Sequence, residues 1–450
     1  MPQAPVPPVA PGDRVEVEIA SLATGGEGVA RHQGYALFVP FTAPGDRARV
    51  QVTAAGPRFG RAVLEDVLEA GPDRTAAPCP YYTHCGGCQL QHLTYPAQLV
   101  AKRSFVQEAV RRIARLNLEV AETFPSDPAW NYRLTTEYAA VQTPAGLDFG
   151  FMRHHSREVL PVAQCPITHD AVNEVMRAAR DLLRGEFSGF ADTVSGLTGR
   201  HSPATGQSLA ILHLMGRGAG ARPFAEALLA AVPNLAGVLA GPPRAGRPHA
   251  PRLELLAGQG FLEQELAGHR YRVSAGSFFQ VNPAVAARLV ALVARLAEVE
   301  PGETVVDGYA GVGTLALAVA ERAGRLVVIE QDRQALADAR RNLRQAPAGA
   351  ISFHPGSVEG RLAALGRGGL RAQVVVLDPP RSGAGEVALR AAAALGPRTI
   401  VLVSCDPATL GRDLGLLARL GYPARSVAPL DMFPQTWHVE AIAACRQAAT

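Results

Sequence analysis

Apolar and polar residues alternate along 11–23 (PGDRVEVEIASLA) and 47–56 (RARVQVTAAG), which is the period of half-buried strands. The stretch between them is rich in hairpin signals such as His32-Gln33-Gly34 and Pro44-Gly45-Asp46. Several short strands with regular turns predict a small OB-like β-barrel over 11–70. A helical period follows at 101–116, where Phe105, Val106, Ala109, Val110, Ile113 and Leu116 form one stripe. The basic residues there, Lys102, Arg103, Arg111, Arg112 and Arg115, fall mostly on other faces and read as a solvated surface, with nucleic-acid phosphate contact as the alternative. From 130 to 270 strand-like YRLTTEYAAVQ and SLAILHLMG mix with helix-like HDAVNEVMRAARDLLRG and FAEALLAAV, and 240–252 is a Pro/Gly/Arg loop. From about 271 the rhythm changes. TVVDGY, RLVVIEQ, ISFHPG, QVVVLDPP and TIVLVSC alternate with the helical PAVAARLVALVARLAEV, GTLALAVAERA and RQALADARRNLRQ. Buried strands alternating with helices predict an α/β fold with a mainly parallel sheet. The expected organisation is a barrel (11–70), a central α+β domain (71–270) and an α/β domain (271–450).

Composition narrows the class without deciding it. With 450 residues, 48% apolar and 19% charged, the chain can build real cores, and wholesale disorder is excluded. A net charge of +4 does not by itself show a nucleic-acid partner. No run of 18 apolar residues lacks charges or turn-formers, which argues against a membrane span. The start, MPQAPVPPVAPGD, has neither a basic n-region nor an apolar h-region, and reads as a proline-rich leader. The expected compartment is therefore the cytoplasm, and the six cysteines are read as ligands, nucleophiles or core residues rather than disulfide partners.

Four strand ends carry the candidate chemistry. The first runs Val305-Val306-Asp307-Gly308-Tyr309-Ala310-Gly311-Val312-Gly313-Thr314 into a helix, so backbone can approach a ligand closely. The next strand ends at Glu330, placed to accept from the ribose hydroxyls of an adenosine. The loop lacks G-x-G-x-x-G spacing, so the pair suits S-adenosylmethionine better than NAD. A third strand stops at Asp378-Pro379-Pro380-Arg381, a rigid lip that cannot continue in the sheet. Cys405 ends another strand and opens Asp406-Pro407, a helix start whose amides favour a thiolate, although Asp406 adds a negative charge beside it. A thiolate at that edge can add to C6 of uracil, which turns C5 into a nucleophile towards an activated methyl group. A base must then remove the C5 proton, and Glu440 of His438-Val439-Glu440 is the candidate. Separately, Cys79-x5-Cys85-x2-Cys88 with the distant Cys165 offers four thiolates to one centre. An iron–sulfur cluster fits, and a four-cysteine zinc site is the alternative. Cys445 lies outside this pattern and reads as structural.

With these residues in view, the chain resembles the RNA 5-methyluridine methyltransferase family over nearly its whole length. The resemblance implies that 11–70 is a TRAM domain implicated in RNA binding and that the α/β domain is Rossmann-like. It also implies that Cys79, Cys85, Cys88 and Cys165 hold a [4Fe-4S] cluster. It matches Gln280 of Ser277-Phe278-Phe279-Gln280-Val281-Asn282-Pro283, together with Tyr309, Glu330 and Asp378, to cofactor contacts. Cys405 matches the nucleophile and Glu440 the proton-abstracting base. Barrel and cluster together point to the 23S ribosomal RNA branch and a single-stranded or loop target, with a monomeric enzyme. The alternatives are a transfer-RNA uridine methyltransferase and a non-catalytic RNA-binding factor. Ala310, Asp406 and Trp437 depart from the family's commonest residues without removing a chemical role.

Overall fold

The computed structural model describes residues 7–216, 218, 220–243 and 253–448; most of the Pro/Gly/Arg loop and the first six residues of the leader lie outside the described residues. Five strands, β1 (Arg14–Leu22), β2 (Gly28–His32), β3 (Tyr35–Val39), β4 (Arg47–Ala55) and β5 (Phe59–Glu69), close a barrel in the order β1-β2-β3-β5-β4. The alternation read in the sequence points Val17, Ile19, Leu37, Val39, Val50 and Val52 inward. The fully buried Asp46 ties the barrel to the chain that leaves it, accepting from Ala43 N, Gly71 N and the Arg74 guanidinium.

Helix α1 (Tyr95–Glu108) runs on through a wider turn at Ala109–Ile113. Despite its early position it packs on the C-terminal sheet: Val106, Val110 and Ala114 join that sheet's core. Gly411, in the helix it crosses, permits the approach, because a Cβ there would meet Ala109 O at 2.8 Å. One expectation is corrected here. Lys102 is not on a solvated face; it is fully buried in an ion pair with Asp431. Arg111 and Arg112 do remain exposed and pair with Glu108.

The central sheet has the order β12-β11-β10-β9-β6-β7-β8. Its strands are β6 (Thr135–Thr143), β7 (Gly146–Met152), β8 (Val159–Pro161), β9 (Val194–Ser202), β10 (Gln207–Leu214), β11 (Leu235–Gly241) and β12 (Glu254–Gly258). Helices α2 (Asp170–Arg184), α3 (Ser188–Ala191) and α4 (Ala221–Ala231) cover one face through Val172, Met176, Phe190, Phe224 and Leu228. Leu209, Ile211 and Leu239 on the other face meet Leu262 and Ala275 around the hairpin β13 (Phe261–Leu266) and β14 (His269–Ser274).

The C-terminal sheet runs β17-β16-β15-β18-β19-β21-β20. Its strands are β15 (Thr304–Gly308), β16 (Arg325–Glu330), β17 (Ala350–Pro355), β18 (Val374–Leu377), β19 (Thr399–Ser404), β20 (Ala424–Leu430) and β21 (Glu440–Arg446). Neighbours from β17 to β19 are parallel, and β21 is antiparallel to both β19 and β20. Helices α5 (Pro283–Ala297), α6 (Thr314–Ala320), α7 (Arg333–Asn342), α8 (Val358–Arg367), α9 (Gly385–Ala394) and α10 (Pro407–Arg419) cover its two faces. Val374 and Val376 enter one core and Val375 and Leu377 the other, which explains the unbroken apolar runs. Strand order reverses beside β15, so a crevice opens at the carboxyl ends of β15 and β18, where α/β sheets hold ligands. Among the described residues, no helix is long and apolar enough to cross a membrane.

Candidate active site and cysteine cavity

Three of the four predicted cofactor positions, Gln280, Tyr309 and Asp378, line that crevice, and Glu330 reaches it through the glycine turn. Phe278, Gln280, Asp307, Tyr309, Gly311 and Asp378 line a narrow cavity of about 40 Å³. Glu330 stands at the end of β16 and already accepts from Gly311 N at 2.9 Å and from Asp332 N at 2.7 Å, so it braces the glycine turn. Tyr309 holds φ +64° and donates to Glu359 at 3.2 Å. Gly311 has φ +55° and nothing within 4 Å of where a Cβ would stand. The strongest sign of an intended ligand is Asp307: both carboxylate oxygens are buried without a hydrogen-bond partner. Burial, then the nearby Asp378, pushes its acid well above the usual carboxylate range. A cationic or N–H-bearing ligand at this edge would satisfy it. Asp307 stood in the quoted loop, and a buried acid at a strand's carboxyl end was the signal that could have singled it out.

Cys405 and Glu440 meet by register. β19 pairs with β21 through Ser404↔Ala441, so the next residue on one strand and the previous one on the other lie side by side at the sheet edge. Glu440 is buried, and its Oε1 has no hydrogen-bond partner. Burial, then Asp378, holds its acid well above the usual range, and the Arg381 guanidinium opposes that. Burial also pushes the Cys405 thiol up to about 12; Glu440 and Asp378 add to this and Arg381 opposes it. Asp378 itself is pushed up to about 7 by burial. The expected lowering of the Cys405 thiol is therefore outweighed by burial. Two of the helix-start amides are also occupied: Asp406 caps α10, accepting from Thr409 N at 2.9 Å, while its carbonyl accepts from Leu410 N. The same cap explains why an acid is tolerated beside the cysteine, since its charge faces the helix.

The segment leading to Glu440 is held by residues far away in sequence. Lys102 pairs with Asp431 and donates to Phe433 O at 2.9 Å. Gln98 makes two bonds with Gln435, at 2.9 and 3.0 Å. Gln89 N and Leu90 N both donate to Gln435 O, and Tyr132 Oη donates to Pro434 O at 3.1 Å. Gln435 holds φ +72°, a conformation this cradle imposes. Sequence reading found none of these clamps.

The four cysteines of the early cluster do come together. Cys79, Cys85, Cys88 and Cys165 line one cavity of about 390 Å³ that reaches Arg381 and His438. All are free thiols, and Cys88 is buried. Burial raises the Cys79 and Cys85 thiols, and in each case Cys165 raises them further, so the sulfurs sense one another. Asn173 fixes Cys165, accepting from its N–H at 2.9 Å and donating to its carbonyl at 3.1 Å. Among the described residues, no group of three or more histidine, cysteine or acidic side chains is arranged to hold a metal ion. Neither the expected iron–sulfur cluster nor the zinc alternative therefore finds a preformed ligand group there. Cys445, by contrast, sits inside β21 opposite Ile400 and is buried.

Comparison with known proteins places this geometry. A family model described as the TRAM domain matches residues 8–64, and one described as tRNA (Uracil-5-)-methyltransferase matches 252–445. An RNA methyltransferase of Halalkalibacterium halodurans is 33% identical over 446 residues, 97% of each chain. One of Gloeobacter violaceus is 34% identical over 444 residues, 96% of each. The crystal structure of the Pyrococcus abyssi tRNA (uracil-54, C5)-methyltransferase with S-adenosyl-L-homocysteine covers 96% of this chain and 100% of its own, with TM-score 0.72 and 24% identity. At that identity the likeness speaks for the fold.

Proposed function

The chain belongs to this family of RNA methyltransferases, and on that premise we propose that it methylates C5 of a uridine in RNA with Cys405 as nucleophile and Glu440 as base. The observation that carries the reading is the buried Glu440 carboxyl, its Oε1 unpartnered, set beside the Cys405 thiol at the ligand edge of the sheet. S-adenosylmethionine, when bound, supplies the electrophilic methyl group; Gln280, Tyr309, Glu330, Asp378 and the orphaned Asp307 are the residues suited to hold it. Cys405 gives its proton up to solvent and its sulfur bonds to C6 of the uracil, so C5 gains the electron pair that takes the methyl. Glu440, acting in its ionised form, then takes the C5 proton, the C5–C6 double bond re-forms from that C–H pair, and the sulfur leaves as thiolate. Arg381 is the cation that favours the thiolate. A purely RNA-binding factor has no use for Asp307 and the Glu440 Oε1 buried at this edge without hydrogen-bond partners, because each costs stability without a ligand.

Transfer RNA is the favoured substrate, since the catalytic half matches a model of that description. The 23S ribosomal RNA expected from the barrel and cysteines is the second reading. The Pyrococcus abyssi transfer-RNA enzyme has the whole fold, so the fold alone does not select ribosomal RNA. Either target must present an unstacked uridine. Cys79, Cys85, Cys88 and Cys165 are the proposed ligands of a [4Fe-4S] cluster. What supports this reading is that all four thiols line one cavity. Equal iron and acid-labile sulfide in protein purified without oxygen is the expected result; zinc instead would remove the cluster. The activity is tested by incubating the protein with labelled S-adenosylmethionine and unmodified transfer, 16S and 23S RNA, then mapping 5-methyluridine. Label at one uridine of transfer RNA is expected; label in no RNA contradicts the proposal.

A further inference from the structure

A third cavity, of about 560 Å³, opens where four parts of the chain meet. Its walls are Glu27 and Arg61 of the barrel, Gly86, Gly87 and Gln89 of the cysteine loop, the hairpin end Met152–His155, and Trp437. It shares Gly86, Gly87 and Phe151 with the cysteine cavity, which reaches Arg381 and His438. Trp437 is three residues before Glu440, so its Cα lies within about 10 Å of that of the base even in extended chain.

The walls are built, not draped. Gly86 N donates to Met152 O and His154 N donates to His84 O, both at 2.9 Å, which fixes the hairpin end to the cysteine loop. Gly86 leaves no room for a side chain there, since a Cβ would meet Met152 O at 3.1 Å. The lining has the chemistry of a single-stranded nucleic-acid contact. The His154 and His155 rings lie 4.0 Å apart, and His154 packs on Phe41 of the barrel at 5.0 Å. Trp437 packs on His438 at 4.2 Å. His155 is exposed and holds φ +52°, a strained conformation for a non-glycine residue. Exposed Met152 adds apolar surface. Arg61 is half exposed beside Glu27, and the buried Nε of Arg153 has no hydrogen-bond partner, only an ion pair with Glu158 at 3.4 Å.

We propose that this groove is a second nucleotide subsite, which takes one unstacked base flanking the target uridine against Trp437 and His155, with Arg61 and Arg153 on its phosphates. The inference rests on the RNA-uridine reading of the neighbouring site and adds to it a place for the next base. Aromatic rings accept any base face, and arginines beside them meet the backbone charge. Putting the flanking base here would hold the strand open on the side of Glu440 and keep the target from restacking.

The test measures binding of a synthetic RNA stem-loop, with a single uridine in a purine-flanked loop, to the full-length protein. Each flanking position is replaced in turn by an abasic nucleotide. Trp437→Ala is expected to weaken binding about tenfold, Trp437→Phe to stay near the parent, and S-adenosylmethionine affinity to hold in both. At one flanking position the abasic RNA should lose a similar factor with the parent and nothing further with Trp437→Ala. Losses that add independently at every position, a Trp437→Phe as weak as Trp437→Ala, or binding indifferent to both changes overturns the subsite. Trapping of a 5-fluorouridine stem-loop by the unaltered protein is read in parallel. Its absence would count against the methylation reading, while the binding cycle judges the groove by itself.

Discussion

At the residue scale the proposed nucleophile Cys405 and the proposed base Glu440 both have acids that burial pushes up. The residue types were legible because uracil chemistry demands a thiol, an acid and a lip at one sheet edge. Their protonation was not, because it depends on burial and on Asp378 and Arg381, which only the fold brings close. Since the thiol is raised to about 12, the thiolate fraction grows about tenfold per pH unit up to there, and adduct formation should rise with pH through the neutral and alkaline range. Arg381→Ala removes the cation that favours the thiolate, so the adduct rate at pH 7 should fall about tenfold and the whole profile move to higher pH. Rapid-quench rates with 5-fluorouridine RNA check both, and an unshifted profile would remove Arg381 from this role. Glu440→Gln should still form the methylated adduct but release product about 100-fold or more slowly, which single-turnover kinetics would show.

At the scale of elements, period and punctuation announced the barrel strands, the five parallel strands and helices α5 to α7. The hairpin β20–β21 gave no such sign, because Glu440–Arg446 is buried on both faces and its alanine-rich sequence does not alternate. Contacts across hundreds of residues were equally silent. Lys102 looked like one more cation on a basic helix, yet it is sealed against Asp431 and steadies the turn that delivers His438 and Glu440. Lys102→Met leaves Asp431 buried without its partner and should cost about 3–5 kcal/mol in denaturant unfolding. Lys102→Met with Asp431→Leu should recover much of that stability but not full activity, because the bond to Phe433 O stays lost. A double variant with parental turnover would mean the clamp only stabilises.

At the scale of the molecule, the segment 431–440 is held by residues far from it in the chain: the cysteine loop touches it through Gln89 and Leu90, and Gln98, Lys102 and Tyr132 also bond to it. The barrel and the parallel sheet were readable from changes of rhythm along the chain. How the parts seat was not, since α1 crosses to the C-terminal sheet and the barrel is held to the following chain by contacts that include the buried Asp46. Burial raises the Asp46 acid, but Arg74 and the amides of Gly71 and Ala43 outweigh that and hold it below the usual range. A depressed carboxylate contributes stability above the unfolded value of about 4 and loses it as pH falls through the folded value. Asp46→Asn should therefore lower stability by about 2–3 kcal/mol at pH 7. The gap from the parent should shrink in melts taken progressively below pH 4. A gap that persists unchanged into acid would contradict the assignment.

The most direct test of the account is covalent capture. The protein is mixed with S-adenosylmethionine and transfer or 23S RNA containing 5-fluorouridine, whose fluorine cannot leave as a proton, and resolved under denaturing conditions. The account predicts an RNA-linked band in the unaltered protein, attached by peptide mapping to Cys405, and no band in Cys405→Ala. A band that survives Cys405→Ala, or no band from protein that binds both ligands, would contradict it.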